Sequence, residues 1–285
     1  MNLLLSEVAR ATRRLADANI PSPRADAEEL AAFVHGVRRG ELHSVPDGAF
    51  DASFWAGIAR REAREPLQHI TGRAYFRYLE LAVGPGVFVP RPETEVVVDW
   101  AIGVLRAMDV ARPVVADLGA GSGAIALSIA QEVPLSRVYA VEADDKAYAW
   151  AERNVTTHEF GTHVRLVHAD MAGALHELDG FADLVVSNPP YIPLPEWENV
   201  APEVRDYDPP GSLWGGDDGL EGVRVVERVA RRLLRPDGFV AVEHSDVQGL
   251  DVPWAFPESR GWLDVINRRD LTNRDRFVTA RWAGQ

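Results

Sequence analysis

A chain of 285 residues without cysteine forms no disulfide and no thiolate metal site, and its 46% of apolar residues is enough for a sizeable buried core. The formal net charge is −13, and residues 1–75 carry ten arginines and ten acidic side chains, so the whole acidic excess lies in residues 76–285. An acidic domain is unsuited to binding the phosphates of nucleic acid. Its charge is compatible with a small-molecule cofactor and a protein partner.

The first 73 residues have the pattern of short helices. The apolar run at the start is broken by Glu7 and Arg10, so it is too short for a signal peptide or a membrane span, and the sequence predicts a cytoplasmic protein. Ser22-Pro23 is typical of a helix start, and Asp51 is a candidate cap for a later helix. We therefore predict a helical domain over residues 1–73.

Over residues 74–89 the spacing of the apolar residues is no longer helical, and these residues surround Gly84-Pro85-Gly86. This pattern predicts a connecting β-hairpin. From residue 90 onward, predicted strands alternate with predicted helices. The strands are 114–118, 138–141, 164–168, 184–187, 239–243, 262–266 and 277–282, and helices are predicted at 124–131, 146–154 and 223–234. This alternation predicts an α/β domain over residues 90–285, with a parallel sheet, helices on both faces and ligands at the carboxyl ends of the strands.

A glycine-rich loop, Asp117-Leu118-Gly119-Ala120-Gly121-Ser122-Gly123, joins the first of these strands to its helix. Glycines there let the backbone approach a ligand closely, and the amides of the following helix face the crevice. Glu142 ends the next strand, where a carboxylate can accept the hydroxyl hydrogens of a ribose. The pattern predicts that this loop and Glu142 bind a cofactor.

The loop alone leaves two cofactors open. Gly119, Gly121 and Ala124 also satisfy the permissive pattern of dinucleotide-binding loops. Asp117 favours S-adenosyl-L-methionine, because that ligand carries a cationic sulfonium and no pyrophosphate, so a nearby carboxylate attracts it.

The motif Ser187-Asn188-Pro189-Pro190-Tyr191 follows the fourth predicted strand, at the edge where a substrate is expected. A planar amide or amino nitrogen is a poor nucleophile because its lone pair is delocalised. Acceptors from the Asn188 side chain and the Pro189 backbone carbonyl would orient its two N–H groups and favour the charge that develops during methyl transfer. The prolines hold these acceptors, and Tyr191 offers a flat surface. We predict Asn188, Pro189 and Tyr191 as catalytic residues, with Pro190 in the substrate site.

Three further motifs accompany the glycine-rich loop and the Asn-Pro-Pro-Tyr corner, residues 188–191. They are Pro66-Leu67-Gln68-His69-Ile70-Thr71-Gly72, Phe88-Val89-Pro90-Arg91-Pro92-Glu93-Thr94-Glu95 and Gly215-Gly216-Asp217-Asp218-Gly219-Leu220. Together, over residues 60–245, the motifs resemble the bacterial release-factor glutamine methyltransferase family of the HemK/PrmC type. The resemblance implies a seven-stranded Rossmann-like class I methyltransferase domain, a small helical N-terminal domain for substrate recognition and a connecting β-hairpin.

The resemblance also implies an activity: S-adenosylmethionine-dependent methylation of the glutamine amide nitrogen in the Gly-Gly-Gln motif of class 1 peptide-chain release factors. It assigns Asp170 and Met171 to the adenine of the cofactor, Asn188 to cofactor as well as substrate, and Arg91 and Glu93 to the substrate channel. The sequence departs from the family at Met171, where an aromatic residue is sometimes found. A second departure is Glu243-His244-Ser245, where Glu-x-Gly is expected.

Other interpretations stay open at this point. Residues 90–95 can be a plain helix start, and the long loop 193–222 is interpreted as part of the substrate wall. The group that accepts the methyl can instead be a glutamine of a ribosomal protein or an adenine amino group of nucleic acid. The acidic charge argues against direct nucleic-acid binding. An inactive cofactor-binding scaffold is the non-enzymatic alternative. The eight histidines show no ligand spacing, so no metal is expected. The short apolar run at the start is no membrane span, so no membrane partner is expected.

Overall fold

The structure is a computed structural model that describes residues 3–48 and 50–284. Met1, Asn2, Ala49 and Gln285, which the predicted domain ranges include, lie outside the described residues. Two compact units are present. One contains the described residues up to Arg73 together with Ala201–Tyr207, and the other contains Ala74–Val200 and the described residues from Asp208 onward.

The helices and strands are numbered in chain order. The helices are α1 Leu3–Asp17, α2 Pro23–His35, α3 Ala52–Glu62, α4 Leu67–Thr71, α5 Glu95–Ala107, α6 Ala124–Glu132, α7 Asp145–Thr157, α8 Pro202–Arg205 and α9 Glu221–Leu233. The strands are β1 Arg73–Phe76, β2 Leu79–Ala82, β3 Val114–Leu118, β4 Arg137–Glu142, β5 Val164–His168, β6 Ala182–Ser187, β7 Leu234–Glu243, β8 Trp262–Arg269 and β9 Asp275–Trp282. No helix in the described ranges is long and apolar enough to cross a membrane.

The first unit is a bundle of short helices, as the sequence predicts. Helix α2 begins at Pro23, and the Asp51 carboxylate accepts hydrogen bonds from two backbone N–H groups in the first turn of α3. Arg61 is buried and pairs with Asp26 at 2.8 Å and with Glu203 of α8 at 2.9 Å. The core of the unit includes Leu4, Val8, Ala11, Leu15, Leu30, Phe54 and Ile58.

Strands β1 and β2 form a two-stranded sheet within residues 73–82, a shorter span than the predicted hairpin over 74–89. Its turn lies at Arg77, which has a φ of +51° and whose guanidinium pairs with Glu132. The Gly84-Pro85-Gly86 stretch follows the strands and packs on α7, where the Trp150 indole N–H donates to the Pro85 carbonyl at 3.3 Å. An added Cβ would lie 2.6 Å from the Trp150 ring at Gly84 and 2.6 Å from the Lys146 side chain at Gly86, so these glycines allow a close approach to α7 and do not form the hairpin turn.

The second unit is built on a seven-stranded sheet with the order β5-β4-β3-β6-β7-β9-β8. Strands β3 to β7 pair in parallel, whereas β9 runs antiparallel to β7 and to β8. This departs from the predicted parallel sheet, because β8 and β9 are joined by a short turn that has no room for a crossover helix. Apolar residues of the central strands pack with α5 and α6 on one face and with α9 on the other.

The topology brings three strand ends together at one edge of this sheet. Strand β3 lies between β4 and β6, so a crevice opens at the carboxyl ends of β3 and β6. Leu118 pairs with Ser187, whose hydroxyl donates to the Leu118 carbonyl at 2.6 Å. Ser187 also pairs with Val242 of β7. The glycine loop, the Asn-Pro-Pro-Tyr corner and Glu243 therefore start side by side.

Candidate active site

The glycine loop, residues 119–123, turns from β3 into α6. Gly119 and Gly121 have φ values of +78° and +56°, a region that side-chain-bearing residues rarely adopt. A Cβ atom added at either position would meet no heavy atom of the described residues within 4 Å. The backbone N–H groups of Gly119 and Ala120 both donate to the Val141 carbonyl at 2.9 Å. The loop is thus held firmly to β4 while part of its backbone borders open space, as a closely approaching ligand requires.

The last two residues of the loop are held from within the protein. Ser122 is buried, and its carbonyl accepts a hydrogen bond from the Asn154 side chain at 2.9 Å. Gly123 donates to the Ala120 carbonyl at 2.8 Å and leads into α6. These contacts fix the start of α6 relative to β3.

Glu142, the residue predicted to bind ribose, already accepts three backbone hydrogen bonds. Its Oε2 accepts from Gly121 at 2.8 Å, and its Oε1 accepts from Ala143 and Asp144 at 2.8 and 2.9 Å. A carboxylate offers about four acceptor positions, so about one is left for a ligand. Glu142 therefore braces the glycine loop against the start of α7, and it binds both ribose hydroxyls only if one of these amides gives way.

Asp117 lies at the end of β3 and is fully buried. Its Oδ2 accepts from the Ala126 backbone at 3.1 Å, and its Oδ1 has no hydrogen-bond partner within the described part of the chain. Burial raises the pKa of Asp117 to about 7, and the nearby charge of Glu142 adds to that rise. An unpaired buried acceptor is costly, so this oxygen fits a ligand that brings an N–H group or a positive charge.

Asp170 and Met171 follow β5, the strand beside β4. Asp170 is exposed, and its carboxylate accepts from the Ala172 backbone at 2.8 Å, which caps the short turn at Met171–Gly173. Met171 is half-buried against the apolar cluster that includes Leu118 and Val141. Both residues therefore lie at the same sheet edge as Glu142, and their contact with adenine stays a prediction.

Asn188 and Tyr191 are anchored on the side of the corner that faces the protein. The Asn188 Nδ2 donates to the Thr94 hydroxyl at 3.3 Å, and its Oδ1 has no partner among residues 3–48 and 50–284. The Tyr191 hydroxyl donates to Glu243 Oε1 at 3.4 Å. The Tyr191 carbonyl accepts from the Gln248 side chain at 3.1 Å. Pro189 is buried, and Pro190 is half-buried. The corner thus leaves one asparagine acceptor oxygen unused.

Glu243, Thr94 and Gln248 join the site without having been predicted as site residues. Glu243 is buried, its Oε2 has no partner among the described residues, and burial raises its pKa to about 7. In the sequence, Glu243 is marked only by the departure from the family pattern at Glu243-His244-Ser245. Thr94 belongs to the motif that predicts roles for Arg91 and Glu93, but that motif predicts no role for Thr94. Gln248 gave no signal in the sequence.

The departure from Glu-x-Gly lies at Ser245, which stands where glycine is expected: its backbone N–H donates to the Gln248 side chain at 3.0 Å and its hydroxyl donates to Asp246 at 3.4 Å. His244 is buried, with Nδ1 2.8 Å from the Ser245 carbonyl and Nε2 3.0 Å from the Asn267 side chain on β8. Burial lowers the pKa of His244, which favours its neutral form. The imidazole is therefore used to join β7 to β8.

Arg91 and Glu93, predicted to line the substrate channel, differ in their surroundings. The Arg91 guanidinium pairs with the buried Asp208 at 2.7 Å and lies 5.0 Å from the centre of the Phe88 ring. Burial raises the pKa of Asp208 to about 6, although Arg91 opposes the rise. Glu93 is exposed at the start of the Pro92–Thr94 turn. Arg91 is therefore tied to the loop that returns from α8, and a substrate contact stays a prediction for both residues.

Comparisons with known proteins extend over the full chain. Residues 8–72 match the PrmC N-terminal domain family, and residues 94–197 match the methyltransferase small domain family. The release factor glutamine methyltransferase of Streptomyces coelicolor is 65% identical over 283 residues, which cover 99% of each chain. The 4-amino-L-phenylalanine/4-methylamino-L-phenylalanine methyltransferase of Streptomyces pristinaespiralis is 40% identical and covers 93% of this chain and 91% of its own.

A solved structure shares the fold at low identity. The hMettl16 catalytic domain, in complex with MAT2A 3′UTR hairpin 6, has a TM-score of 0.57 at 14% identity and covers 83% of both chains. The strand order and the glycine loop at the switch point define a class I methyltransferase. The full-length similarity goes further and confirms the resemblance seen in the motifs: the chain belongs to the release factor glutamine methyltransferase family.

Proposed function

We propose that this protein transfers a methyl group from S-adenosyl-L-methionine to the side-chain amide nitrogen of the glutamine in the Gly-Gly-Gln motif of class 1 peptide-chain release factors. The observation that carries the chemistry is Asn188, whose Nδ2 is anchored on Thr94 while its Oδ1 has no partner among the described residues. The identity of the acceptor is supported by the 65% identity to the Streptomyces coelicolor enzyme over nearly the whole chain.

The cofactor side is supported by the residues around the glycine loop. S-adenosyl-L-methionine, when bound, supplies an electrophilic methyl group on a positively charged sulfur. Residues 119–123 would border it through bare backbone, Glu142 would bind its ribose, and Asp170 with Met171 would contact its adenine. The unpaired Asp117 Oδ1 fits a ligand with positive charge and lies where pyrophosphate would be repelled. This donor set favours S-adenosyl-L-methionine over a dinucleotide.

The corner residues act on the glutamine amide in distinct ways. The Asn188 Oδ1 and the Pro189 carbonyl would each accept one N–H of the primary amide, which fixes its plane and favours positive charge on nitrogen. Tyr191 would pack against that plane. The nitrogen gains one methyl group and releases one hydrogen as a proton afterwards, so the step needs correct positioning more than a strong base.

The helical unit is proposed to recognise the release factor, because the reacting glutamine alone is too small to select one protein. Arg91 and Glu93, at the entrance to α5, are proposed to border the substrate path. Because release factors act in translation, we propose that the protein acts in the cytoplasm. Neither a membrane nor nucleic acid is needed for this function.

The direct test is mass spectrometry of purified release factor after incubation with the enzyme and isotopically labelled cofactor. We expect one labelled methyl group on the peptide that contains Gly-Gly-Gln, and none when that glutamine is replaced by alanine. A ribosomal-protein fraction, an adenine-containing oligonucleotide and 4-amino-L-phenylalanine are offered in parallel. A faster reaction with any of these would reassign the acceptor, and no turnover with any acceptor would favour a scaffold.

Glu142→Ala is expected to weaken S-adenosyl-L-methionine binding by at least tenfold. The change removes the acceptor for Gly121 as well as the candidate ribose acceptor, and hydrogen bonds to a charged group are each worth about 1.5–3 kcal/mol. Calorimetric titration measures the affinity, and circular dichroism checks the fold. Glu152→Ala, an exposed glutamate on α7, is the matched control and should bind normally. Unchanged affinity in Glu142→Ala would remove Glu142 from the cofactor site, and tight binding of a nicotinamide dinucleotide would overturn the cofactor assignment.

A further inference from the structure

We infer that Asn154 is a positioning residue for the cofactor: its side-chain amide holds the glycine loop in the shape that binds S-adenosyl-L-methionine. Asn154 lies near the end of α7, and its side chain is buried. The inference rests on the proposed function for the identity of the cofactor alone, because every contact of Asn154 that carries it lies within the protein.

The Asn154 side chain joins the glycine loop to the end of β2. Its Nδ2 donates to the Ser122 carbonyl at 2.9 Å and to the Ala82 carbonyl at 3.0 Å. Its Oδ1 accepts from the Ala82 backbone N–H at 2.7 Å. An amide nitrogen carries two hydrogens, and both are used here. One side chain therefore ties together two segments that are distant in sequence.

These three contacts together call for asparagine. Two carbonyl oxygens need donors and one N–H needs an acceptor, and a side-chain amide offers two donors beside one acceptor. A flipped amide would set its oxygen against both carbonyls. Asn154 is 1% exposed and Ser122 is 3% exposed, so water does not readily replace a lost partner. A buried carbonyl left without a donor is costly, and the Ser122 peptide is expected to move when Asn154 is changed.

Asn154 has partners for the same backbone segment four residues before and after it, on the same face of α7. The Trp150 indole donates to the Pro85 carbonyl at 3.3 Å, and the His158 ring nitrogen Nε2 lies 3.0 Å from the Glu80 carbonyl oxygen. The backbone on both sides of the end of β2 is therefore seated along α7. This arrangement gives Asn154 a fixed support from which it holds the glycine loop.

The loop is held at two neighbouring peptide groups. Glu142, just before α7, accepts from the Gly121 N–H at 2.8 Å, and Asn154 donates to the Ser122 carbonyl. Gly119 and Gly121 have positive φ values and wide conformational freedom, so the loop can adopt other shapes when one hold is lost. The apparent affinity for a ligand falls in proportion to the fraction of molecules in the binding shape. Loss of Asn154 should thus weaken cofactor binding without altering the reacting groups.

Asn154→Asp and His158→Ala form a matched pair. Aspartate keeps the size and the acceptor oxygen but loses both donated hydrogens, so the Kd for S-adenosyl-L-methionine, measured by calorimetry, should rise about tenfold or more. At saturating cofactor, kcat and the KM for release factor should stay within about threefold of wild type, because bound cofactor selects the correct loop shape. His158→Ala removes a contact to the same backbone segment and should bind the cofactor normally.

Hydrogen exchange of the free protein tests the loop without cofactor or acceptor. The peptide that contains residues 119–124 should exchange about tenfold faster in Asn154→Asp than in wild type, while the peptide from β6 should be unchanged. Asn154→Ala removes the same hydrogens without adding a charge, should repeat both results, and replaces Asn154→Asp if that variant does not fold.

Normal cofactor affinity in these variants would overturn the inference. Faster exchange throughout the protein, or a fall in kcat at saturating cofactor as large as the change in Kd, would show a general loss of structure and would overturn it too. If the wild type bound no S-adenosyl-L-methionine, the proposed function would fail. The exchange rate of the free loop would still decide whether Asn154 holds it.

Discussion

Replacing Asn188 with alanine is expected to lower the rate of methyl transfer to release factor by about 10²–10³, since one preorganised polar group is removed from a site of developing charge. In the proposed mechanism the side chain meets the acceptor only at its reacting amide, so the affinity for release factor should change little. Single-turnover kinetics at saturating cofactor measure the transfer rate, and equilibrium binding of unmethylated release factor measures the affinity.

Two further variants make the result specific. Asn188→Asp keeps an acceptor oxygen but loses the hydrogens that bond to Thr94 and adds a charge, so transfer should fall while the protein stays folded. Asn273→Gly changes an exposed asparagine in the turn between β8 and β9, whose φ of +64° suits glycine, and should leave transfer unchanged. A loss in Asn188→Ala that appeared in release-factor affinity instead of in the transfer rate would assign Asn188 to docking.

The parts of the fold that the sequence predicts well are those with a local cause. The strand predicted over 114–118 is observed as Val114–Leu118, because an apolar run ends in glycines that cannot continue it. The strand at Val164–His168 is predicted equally well. Asp51 was identified as a cap because its side chain acts within its own helix turn.

The parts that escape prediction depend on contacts between distant segments. Strand β7 begins at Leu234 instead of the predicted residue 239, since Leu234 pairs with Ala182 across an irregularity that includes a proline. Glu243 reaches Tyr191 because β7 lies beside β6 in the sheet, and Thr94 reaches Asn188 from the turn before α5; no spacing along the chain relates these residues. The same is true of Asp208, which reaches Arg91 from a loop more than a hundred residues later. The sequence motifs indicate the chemistry of the Asn-Pro-Pro-Tyr corner. The residues that contact the corner from distant segments can be identified only from the fold.

Replacing Gly222 with alanine is the second change for which we expect a large effect on the reaction rate. It lies in the first turn of α9, where an added Cβ would lie 2.8 Å from the Pro190 carbonyl oxygen and 3.0 Å from the Pro189 Cβ. Helix α9 is fixed by buried side chains such as Val223 and Val226, so the corner must move when the methyl group is added. A displacement of about 1 Å at a reacting centre costs on the order of 10² in rate.

Gly222→Ala is therefore expected to reduce kcat by about that factor while S-adenosyl-L-methionine binding, measured by calorimetry, stays near normal, because the glycine loop lies on another strand. Gly103→Ala is the matched control: it lies in α5 with no atom of the described residues within 4 Å of the new Cβ. That change should keep full activity and raise the free energy of unfolding by roughly 0.5–1 kcal/mol, as alanine favours a helix over glycine. Full activity in Gly222→Ala would mean that the backbone position of Pro189 and Pro190 tolerates displacement. The Pro189 carbonyl would then have no part in holding the glutamine amide, and Asn188 alone would orient it.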